Sequence, residues 1–190
     1  MNVPFKIDLA GKVAVVTGGG GVLCSNFAKV LAECGASVAI LDLREEAAEK
    51  VAAEIRADGG KAVGVGANVL EKSSLEAARE RVKAELGTCD ILLNGAGGNH
   101  PKGTTSKEYL FPEDLENPVE GVSTFFDLDT NGIKFVFDLN FIGTLMPTQV
   151  FAADMAKKKG TVIINISSMN AFRPLTKIPA YSAAKAAVSN

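Results

Sequence analysis

The sequence is poor in the features that mark secreted, membrane and nucleic-acid-binding proteins. Its three cysteines, Cys24, Cys34 and Cys89, are odd in number and lack paired spacing. This pattern suits a reducing cytoplasm, with the cysteines as small core residues. The 20 basic and 22 acidic residues are scattered and give a net charge of −2, so no nucleic-acid partner is predicted.

Long apolar runs are also missing, since none approaches the ~20 residues that a membrane-spanning helix needs. The N-terminal stretch MNVPFKIDLAGK lacks the charged-then-apolar order of a signal peptide. Apolar residues nevertheless make up 47% of the 190 positions, enough to cover both faces of a sheet. We therefore expect a single domain over residues 1–190, cytoplasmic and without a membrane partner.

Apolar runs and helical periodicities alternate along the chain. Strands are predicted at residues 12–16, 37–42, 62–66, 90–94 and 161–166, the last of them buried. Helices are predicted at residues 22–34, 44–58 and 130–158, from a cap at Ser73 or Ser74 to about residue 86, and around Tyr181. The crossovers are long enough for parallel pairing, so the predicted fold class is α/β, a doubly wound parallel sheet in three α/β/α layers.

The alternation breaks between residues 97 and 126. Three prolines, Pro101, Pro112 and Pro118, fall in this stretch, which shows no sustained period. A loop of this length inside a compact domain is usually functional or disordered. We interpret residues 98–126 as an inserted loop.

The clearest chemical signal lies toward the end of the chain. Tyr181 and Lys185 are four residues apart in an Ala-rich helical segment, so their side chains share one face. An ammonium group beside a phenol favours the phenolate and prepares it to exchange a proton. Ser168, at the end of the last predicted strand, is placed to donate a hydrogen bond to the same substrate oxygen. The three residues predict an acid–base site for a carbonyl or an alcohol.

A glycine-rich turn, TGGGGVLC at residues 17–24, directly follows the first predicted strand and opens a helix. Glycine permits positive φ and close approach of the backbone, and a helix N-terminus offers unpaired N–H groups to a pyrophosphate. This context predicts that the turn binds a dinucleotide.

Together these motifs resemble those of the short-chain dehydrogenases/reductases, a family of Rossmann-fold, nicotinamide-dependent oxidoreductases. Ser168 precedes Tyr181 by 13 residues, and Tyr181 and Lys185 form the family's YxxxK. The family's turn is TGxxxGxG, and aligning it on Thr17 puts Val22 and Cys24 where its second and third glycines stand.

Three further segments match the family. Asn94–Gly97 (NGAG) matches its NNAG, with Gly95 in place of the second Asn, and Asn68-Val69 matches its Asp-Val. Asn140, in DLNFIG, matches the asparagine of its long helix. Members of the family continue beyond the tyrosine helix, so we expect this chain to lack their C-terminal part. Relatives pair as dimers and tetramers, and the resemblance implies a homodimer or homotetramer here.

The resemblance also implies roles for these residues. Tyr181 transfers the proton, Lys185 assists it and holds the nicotinamide ribose, Ser168 positions the carbonyl, and Asn140 anchors a proton relay. The implied cofactor-binding residues are spread over the turn and the ends of the strands: Gly18, Gly20, Gly21, Val22, Leu23, Asp42, Leu43, Asn68, Val69, Asn94, Ala96, Gly97, Tyr181 and Lys185.

Asp42 bears on the choice of cofactor. A carboxylate at the end of the second strand accepts hydrogen bonds from both adenosine ribose hydroxyls and repels a 2′-phosphate, so NAD is favoured over NADP. Arg44, two residues on, partly offsets that repulsion. The alternative interpretation makes Asp42 the cap of the next helix, and the two roles can coexist.

Substrate specificity is expected to come from the inserted loop, on the substrate side. His100, the only histidine, and Lys102 follow the cofactor-binding glycines, and with Arg173 we expect them to bind the carboxylate of a sugar acid. A solvated polar loop is the alternative. The turn and the GNHPKGTT segment are similar to family members described as D-mannonate oxidoreductases (fructuronate reductases), which implies a D-mannonate/D-fructuronate substrate.

Two other functions are compatible with the same fold. A catalytically silent nucleotide sensor or scaffold on the same fold is one, because fold does not fix function. An NADP-dependent carbonyl reductase of a lipid or steroid is another, disfavoured by the polar insertion. Residues 127–138 match the opening of a calcium loop, but Lys134 stands where an apolar residue belongs. We interpret this stretch as the start of a helix capped by Asp129 or Thr130, and no metal is predicted.

Overall fold

The computed structural model describes residues 7–117 and 119–190, so part of the N-terminal stretch and Pro118 lie outside the described residues. The chain divides into two compact units, and each is described by itself. The sheet unit runs up to Ala96 and includes Gly143–Ile166, whereas the helical unit comprises Gly97–Ile142 and Ser167–Asn190. The single domain expected over residues 1–190 stays a prediction.

A parallel five-stranded sheet in the order β3-β2-β1-β4-β5 forms the centre of the sheet unit. Its strands are β1 Val13–Thr17, β2 Ser37–Asp42, β3 Lys61–Gly66, β4 Ile91–Asn94 and β5 Val162–Asn165. The chain reverses its winding beside β1, where Thr17 pairs with Leu41 on one side and with Asn94 on the other. In such sheets ligands bind at the carboxyl ends of the strands near this reversal.

Seven α-helices are found among the described residues: α1 Val22–Glu33, α2 Glu45–Ala57, α3 Lys72–Glu85, α4 Pro112–Glu116, α5 Thr130–Phe137, α6 Gly143–Met155 and α7 Pro179–Ser189. In the sheet unit α1 packs against α2, and α3 packs against α6, so two helical layers enclose a sheet whose central strand β1 is wholly buried. The predicted α/β class and doubly wound parallel sheet are confirmed. Among residues 7–117 and 119–190, no helix combines the length and the apolar character needed to cross a bilayer.

The predicted cap of α3 is wrong. The helix begins at Lys72 with Glu71 in the capping position, two or three residues before the predicted cap. The hydroxyl of Ser74 instead accepts a hydrogen bond from the backbone N–H of Asn68, at 3.0 Å. A serine hydroxyl often satisfies a nearby backbone group in this way, and here it lies inside the first turn rather than before it.

The last strand, predicted to be buried, is exposed. Val162, Ile163 and Ile164 lie in β5, and each keeps more than a third of its surface accessible. The reason is position in the sheet, because β5 pairs with β4 on one side only among the described residues. An apolar sequence identifies a strand that can be covered, but neighbouring strands and helices decide whether it is.

A buried carboxylate lies at the amino-terminal ends of the central strands in the sheet unit. Asp90, just before β4, accepts the Val13 N–H at 3.0 Å and pairs with the Lys158 ammonium group at 3.1 Å. Burial raises the pKa of the Asp90 carboxyl, but the Val13 N–H and the Lys158 charge outweigh it and hold that pKa below its ordinary value. The contact ties the starts of β1 and β4 to the segment after α6.

Short helical pieces organise the inserted loop of the helical unit. Pro101–Gly103 and Phe125–Asp127 form 3₁₀ turns, and α4 lies between them. The Thr105 N–H donates to the Lys177 carbonyl at 2.9 Å, which joins the loop to the segment before α7. The loop thus has local structure that the sequence did not indicate, because elements of three to five residues are too short to show a period.

The helix predicted over residues 130–158 is three consecutive segments. After α5, residues Asp138–Ile142 form a π-helical turn, and α6 follows from Gly143. Asp129 caps α5 by accepting the Gly132 N–H at 2.9 Å, as predicted. That N–H also holds the pKa of the Asp129 carboxyl below its usual range. Turns with π geometry are frequent at functional sites.

Candidate functional site

The glycine turn after β1 is shaped by close backbone approach. Gly18 has a φ of +64°, and a β-carbon added there would stand 2.9 Å from the Cα of Ala96. A β-carbon at Gly20 would stand 2.9 Å from an Asp42 carboxylate oxygen. Both positions therefore require glycine, one for its conformation and its neighbour and the other for its neighbour alone.

Hydrogen bonds leave two backbone donors of the turn available. The Gly19 N–H donates to the Leu41 carbonyl, and the Gly21 N–H donates to the Gly18 carbonyl, each at 3.0 Å. In the part of the chain that the structure describes, the N–H groups of Val22 and Leu23, the first two residues of α1, donate no hydrogen bond. These are the orphan donors of a helix N-terminus, the kind of group that binds a pyrophosphate.

Asp42 lies at the end of β2 and holds the turn. One of its oxygens accepts the Gly20 N–H and the other accepts the Arg44 N–H, both at 3.1 Å. A carboxylate has about four acceptor positions, so two remain for ribose hydroxyls. The capping position of α2 is occupied by Arg44 rather than by Asp42.

Apolar side chains surround the turn and are exposed. Val22 and Leu23 keep 87% and 55% of their surface accessible, and Leu43, next to Asp42, keeps 73%. Asn68 is held locally by accepting the Leu70 N–H at 3.0 Å, and the neighbouring Val69 is buried. The exposed apolar group is the kind of surface that a planar ligand covers.

The segment after β4 faces the turn within the sheet unit. The Asn94 side-chain amide donates to Thr148 and to Asn165, each at 2.9 Å, so this side chain links β4 to its neighbours. Thr17 is a residue that the sequence prediction missed. Its buried hydroxyl accepts the N–H groups of Gly95 at 3.1 Å and Ala96 at 3.2 Å. A polar residue ending an otherwise apolar strand was the available signal.

In the helical unit, Asn140 lies in the π-helical turn and is fully buried. Its amide group donates to the carbonyls of Gly98 at 2.6 Å and Val136 at 2.8 Å, and its oxygen accepts the Gly98 N–H at 3.2 Å. The side chain thus hydrogen-bonds both the N–H and the carbonyl of Gly98 and fixes the backbone there.

The Lys185 side chain also extends to the glycine segment Gly97–Gly98, beside Gly97. It is only 4% exposed, and a β-carbon added at Gly97 would stand 3.3 Å from its ammonium nitrogen and 2.7 Å from the Asn140 side-chain oxygen. The Lys185 nitrogen lies 5.8 Å from the centre of the Tyr181 ring, within cation–π range. The structure therefore brings Asn140 and Lys185 together beside Gly97, with the Tyr181 ring within reach of the Lys185 ammonium group, and the acid–base roles of these residues stay a prediction.

Ser168 is placed by a different element from the one predicted. It lies three residues beyond β5 and caps the 3₁₀ turn Met169–Ala171, where its hydroxyl oxygen accepts the Asn170 N–H at 3.2 Å. This turn packs against α7, the helix that carries Tyr181. Because a backbone N–H occupies one lone pair, the Ser168 hydroxyl hydrogen is left to point elsewhere.

The predicted substrate residues are only partly assembled. His100 packs against Phe135 with ring centres 5.2 Å apart and ring planes tilted by 60°, and its ring nitrogen accepts the backbone N–H of Lys102 at 3.2 Å. Arg173 is exposed, and no hydrogen bond or ring contact joins it to His100 or Lys102 in residues 7–117 and 119–190.

A cavity of about 230 Å³ lies elsewhere in the helical unit. The inserted loop and residues 175–177 and 179 line it, including Thr105, Tyr109 and Lys177. None of His100, Lys102 and Arg173 is among its lining residues. The loop is also less polar than predicted, because several large apolar side chains are exposed: Tyr109, Phe111, Leu115, Phe125 and Phe126. The character of the inserted loop therefore does not disfavour an apolar substrate.

The residues of the calcium-like stretch have other partners. Asp127 accepts hydrogen bonds from the Thr124 N–H at 2.8 Å and from its hydroxyl at 2.7 Å, and Asp129 caps α5. Within the described ranges, no group of three or more His, Cys, Asp or Glu side chains is arranged to hold a metal ion.

Comparison with known proteins agrees with these geometries. Residues 12–190 match the family model of the short-chain dehydrogenases. An uncharacterized oxidoreductase of Haemophilus influenzae is 57% identical over 190 residues, which cover 100% of this chain and 65% of that protein. The uncharacterized oxidoreductase UxuB of Bacillus subtilis is 48% identical over 188 residues, covering 99% and 66%.

A solved structure shows the same fold. It is a Haemophilus influenzae protein with bound NAD, for which D-mannonate oxidoreductase is the suggested activity, and it is 56% identical with a TM-score of 0.92 over 97% of this chain and 64% of its own. The chain thus spans about two thirds of the length of these relatives. By its sequence motifs, its sheet order and this match over residues 12–190, the chain belongs to the short-chain dehydrogenase family.

Proposed function

We propose that this protein is an NAD-dependent oxidoreductase that interconverts a hydroxyl and a carbonyl group of a sugar acid or polyol, with D-mannonate and D-fructuronate as the first candidates. The observation that carries the proposal is the convergence of the Asn140 oxygen and the Lys185 nitrogen beside Gly97, one helical turn from Tyr181. A buried ammonium group next to a phenol is the arrangement that proton transfer at a substrate oxygen needs.

The residues of the sheet unit fit NAD. The Val22 and Leu23 N–H groups suit a pyrophosphate, and the spare acceptor positions of Asp42 suit the two hydroxyls of an adenosine ribose. The absent side chain at Gly18 lets the turn lie directly against the backbone of Ala96. A 2′-phosphate would meet the Asp42 charge, so NADP is the less favoured cofactor.

The helical unit supplies the proton chemistry. When bound, NAD provides the hydride acceptor or donor at its nicotinamide ring. Tyr181 gives a proton to the substrate oxygen or takes one from it, and the Lys185 charge stabilises the phenolate. The Ser168 hydroxyl, which already accepts the Asn170 N–H, donates its hydrogen to the same substrate oxygen. Asn140 fixes the Gly97–Gly98 backbone and anchors the proton relay.

Support for an acidic sugar comes from His100 and Lys102, which lie side by side at the start of the inserted loop, and from the suggested activity of the Haemophilus influenzae structure. Both residues carry N–H donors suited to a carboxylate. The name of the relative describes that relative, so the substrate is tested directly.

The experiment follows nicotinamide absorbance with NAD(H) across a panel of sugar acids and their neutral analogues. Lys102→Ala and Arg173→Ala are each expected to raise KM about tenfold for the acidic sugar, because a charge-assisted hydrogen bond contributes roughly 1.5 kcal/mol, and to change KM little for the neutral analogue. Lys159→Ala, an exposed cation of the sheet unit, is the control. Equal effects on both substrates would refute the carboxylate role.

Assembly and location complete the proposal. A homodimer or homotetramer is implied by the family resemblance, and sedimentation velocity measures it. Cys24 and Cys89 are buried and Cys34 is half-buried, as predicted for core residues, which suits a protein that works in the reducing cytoplasm.

A further inference from the structure

Two departures from the family's pattern meet in the structure. Cys24 stands where the pattern has its third glycine, and Gly95 stands where it has an asparagine, 71 residues further along the chain. A β-carbon added at Gly95 would stand only 2.2 Å from the Cys24 sulfur. Carbon and sulfur atoms in contact need well over 3 Å, roughly the 3.5–4.0 Å of ordinary packing. The thiol therefore occupies the space that a side chain at position 95 would take.

The contact joins the start of α1 to the segment after β4. Cys24 lies in the first turn of α1 and is only 4% exposed, so its sulfur has little room to move aside. On the other side, the Thr17 hydroxyl fixes Gly95 by accepting its N–H at 3.1 Å. The first turn of α1 is thus packed against a backbone segment that is itself hydrogen-bonded to the end of β1.

We propose that Cys24 and Gly95 form a coupled pair of positioning residues that set where the N-terminus of α1 lies, and hence how well its N–H groups bind the pyrophosphate of a dinucleotide. The role of the thiol is to fill space, and it takes part in no bond-making step. A larger side chain at one position is possible only with a smaller one at the other. This inference rests on the proposed function, in which the turn binds NAD.

The test is a double-mutant cycle of Gly95→Ala, Cys24→Ala and the double variant, with NAD affinity measured by titration calorimetry. Gly95→Ala is expected to raise the NAD dissociation constant about tenfold or more, because its methyl group collides with the sulfur and displaces α1. Cys24→Ala alone leaves a small void and is expected to raise it about threefold or less. In the double variant the new methyl group takes the space that the sulfur leaves, although it still stands 3.0 Å from the Thr17 carbonyl oxygen, so affinity is expected to recover most of the way to that of Cys24→Ala.

The split of the kinetic constants separates positioning from a general loss of structure. With saturating NAD, Gly95→Ala is expected to keep kcat within about twofold while its KM for NAD rises, since only ground-state cofactor binding is lost. Gly60→Ala is the matched control. Its β-carbon would stand 2.7 Å from an Ile55 methyl group, so the clash is similar. Gly60, however, precedes β3 at the amino-terminal ends of the parallel strands, whereas Gly95 follows β4 at their carboxyl ends. It should lower the melting temperature without changing NAD affinity, and Cys24→Ala should not rescue it.

Two results would overturn the inference: Gly95→Ala that binds NAD as tightly as the wild type, or a double variant that binds it no better than Gly95→Ala. Wild-type protein that binds no NAD would instead overturn the proposed function, and with it the role of the pair in cofactor affinity. The packing part is then decided by melting temperatures. A double variant that melts above Gly95→Ala supports the coupling, and one that does not refutes it.

Discussion

The nucleotide-binding turn of the sheet unit and the acid–base group of the helical unit depart differently from the family's pattern. The turn has Val22 and Cys24 in place of two glycines, whereas Tyr181 and Lys185 keep the family's spacing. In the proposed function the turn binds a pyrophosphate through backbone N–H groups, so what matters is the space around them, and we propose that a change at a neighbouring position restores that space. Proton transfer depends on particular side-chain atoms, which no neighbouring residue can supply.

The largest effect is expected from Tyr181→Phe, which removes the proton-transferring hydroxyl. Turnover should fall about 10²–10⁴-fold, the usual contribution of a positioned acid or base, while the NAD dissociation constant stays within about twofold. Steady-state kinetics and calorimetry measure the two. Tyr109→Phe, at the chain's only other tyrosine, is the comparison and should lower turnover far less, because Tyr109 lines the cavity of the inserted loop rather than contacting Lys185. Normal turnover in Tyr181→Phe would show that this hydroxyl does not transfer the proton, whereas a wild-type protein that binds NAD without any turnover would favour the nucleotide sensor.

Gly18→Ala tests whether the turn is defined by space. The left-handed φ of +64° should cost roughly 1–2 kcal/mol in any L-residue, and the contact with Ala96 adds to it. We expect a lower melting temperature and an NAD dissociation constant raised about tenfold or more.

Gly59→Ala is the matched control for that variant, because Gly59 also has a positive φ, +85°, but a β-carbon there meets no atom within 4 Å. The difference between the melting temperatures of the two variants measures the cost of the contact with Ala96, because the cost of the positive φ is common to both. If Gly59→Ala weakened NAD binding as much as Gly18→Ala, close backbone approach would not be the cause.

A smaller effect, on stability alone, is expected from Asp90→Asn, at the amino-terminal ends of the strands and away from the glycine turn. Losing this carboxylate leaves Lys158 without its charged partner, and the free energy of unfolding should fall by about 1–3 kcal/mol at neutral pH. The folded state lowers the Asp90 pKa, so its contribution is present above the carboxyl's ordinary value and is lost as the pH falls through the lowered one.

Urea unfolding at a series of pH values checks this, and the curves of the wild type and Asp90→Asn should converge in acid. Glu76→Gln, in an exposed pair with Lys72, is the control and should change stability by less than about 0.5 kcal/mol. Curves that stay parallel down to acid pH would show that the Asp90 charge does not stabilise the fold.

Much of the fold could be predicted because short stretches of sequence determine its strands and turns. The first four strands lie within one residue of their predicted bounds, since apolar runs and glycine turns mark them directly. The two failures have different causes. Burial of β5 is decided by what covers the sheet edge, which is not local, whereas the cap of α3 was misassigned because the Ser74 hydroxyl accepts the Asn68 N–H from inside the first turn.

The candidate site shows the same division. The spacing of Tyr181 and Lys185 on one helix is local and was predictable, and so was the glycine turn. The π-helical turn around Asn140 depends on its contacts with Gly98, 42 residues away, and no periodicity reveals it. The meeting of Cys24 with Gly95 is likewise invisible in the sequence, because neither departure alone suggests the other.

The most direct test is a single-turnover reduction with wild-type protein, NADH and D-fructuronate. We predict that NADH binds and that its absorbance then falls by one equivalent per bound sugar acid, with the matching alcohol as product. Protein that binds NADH but oxidises it with no sugar acid or polyol would contradict it.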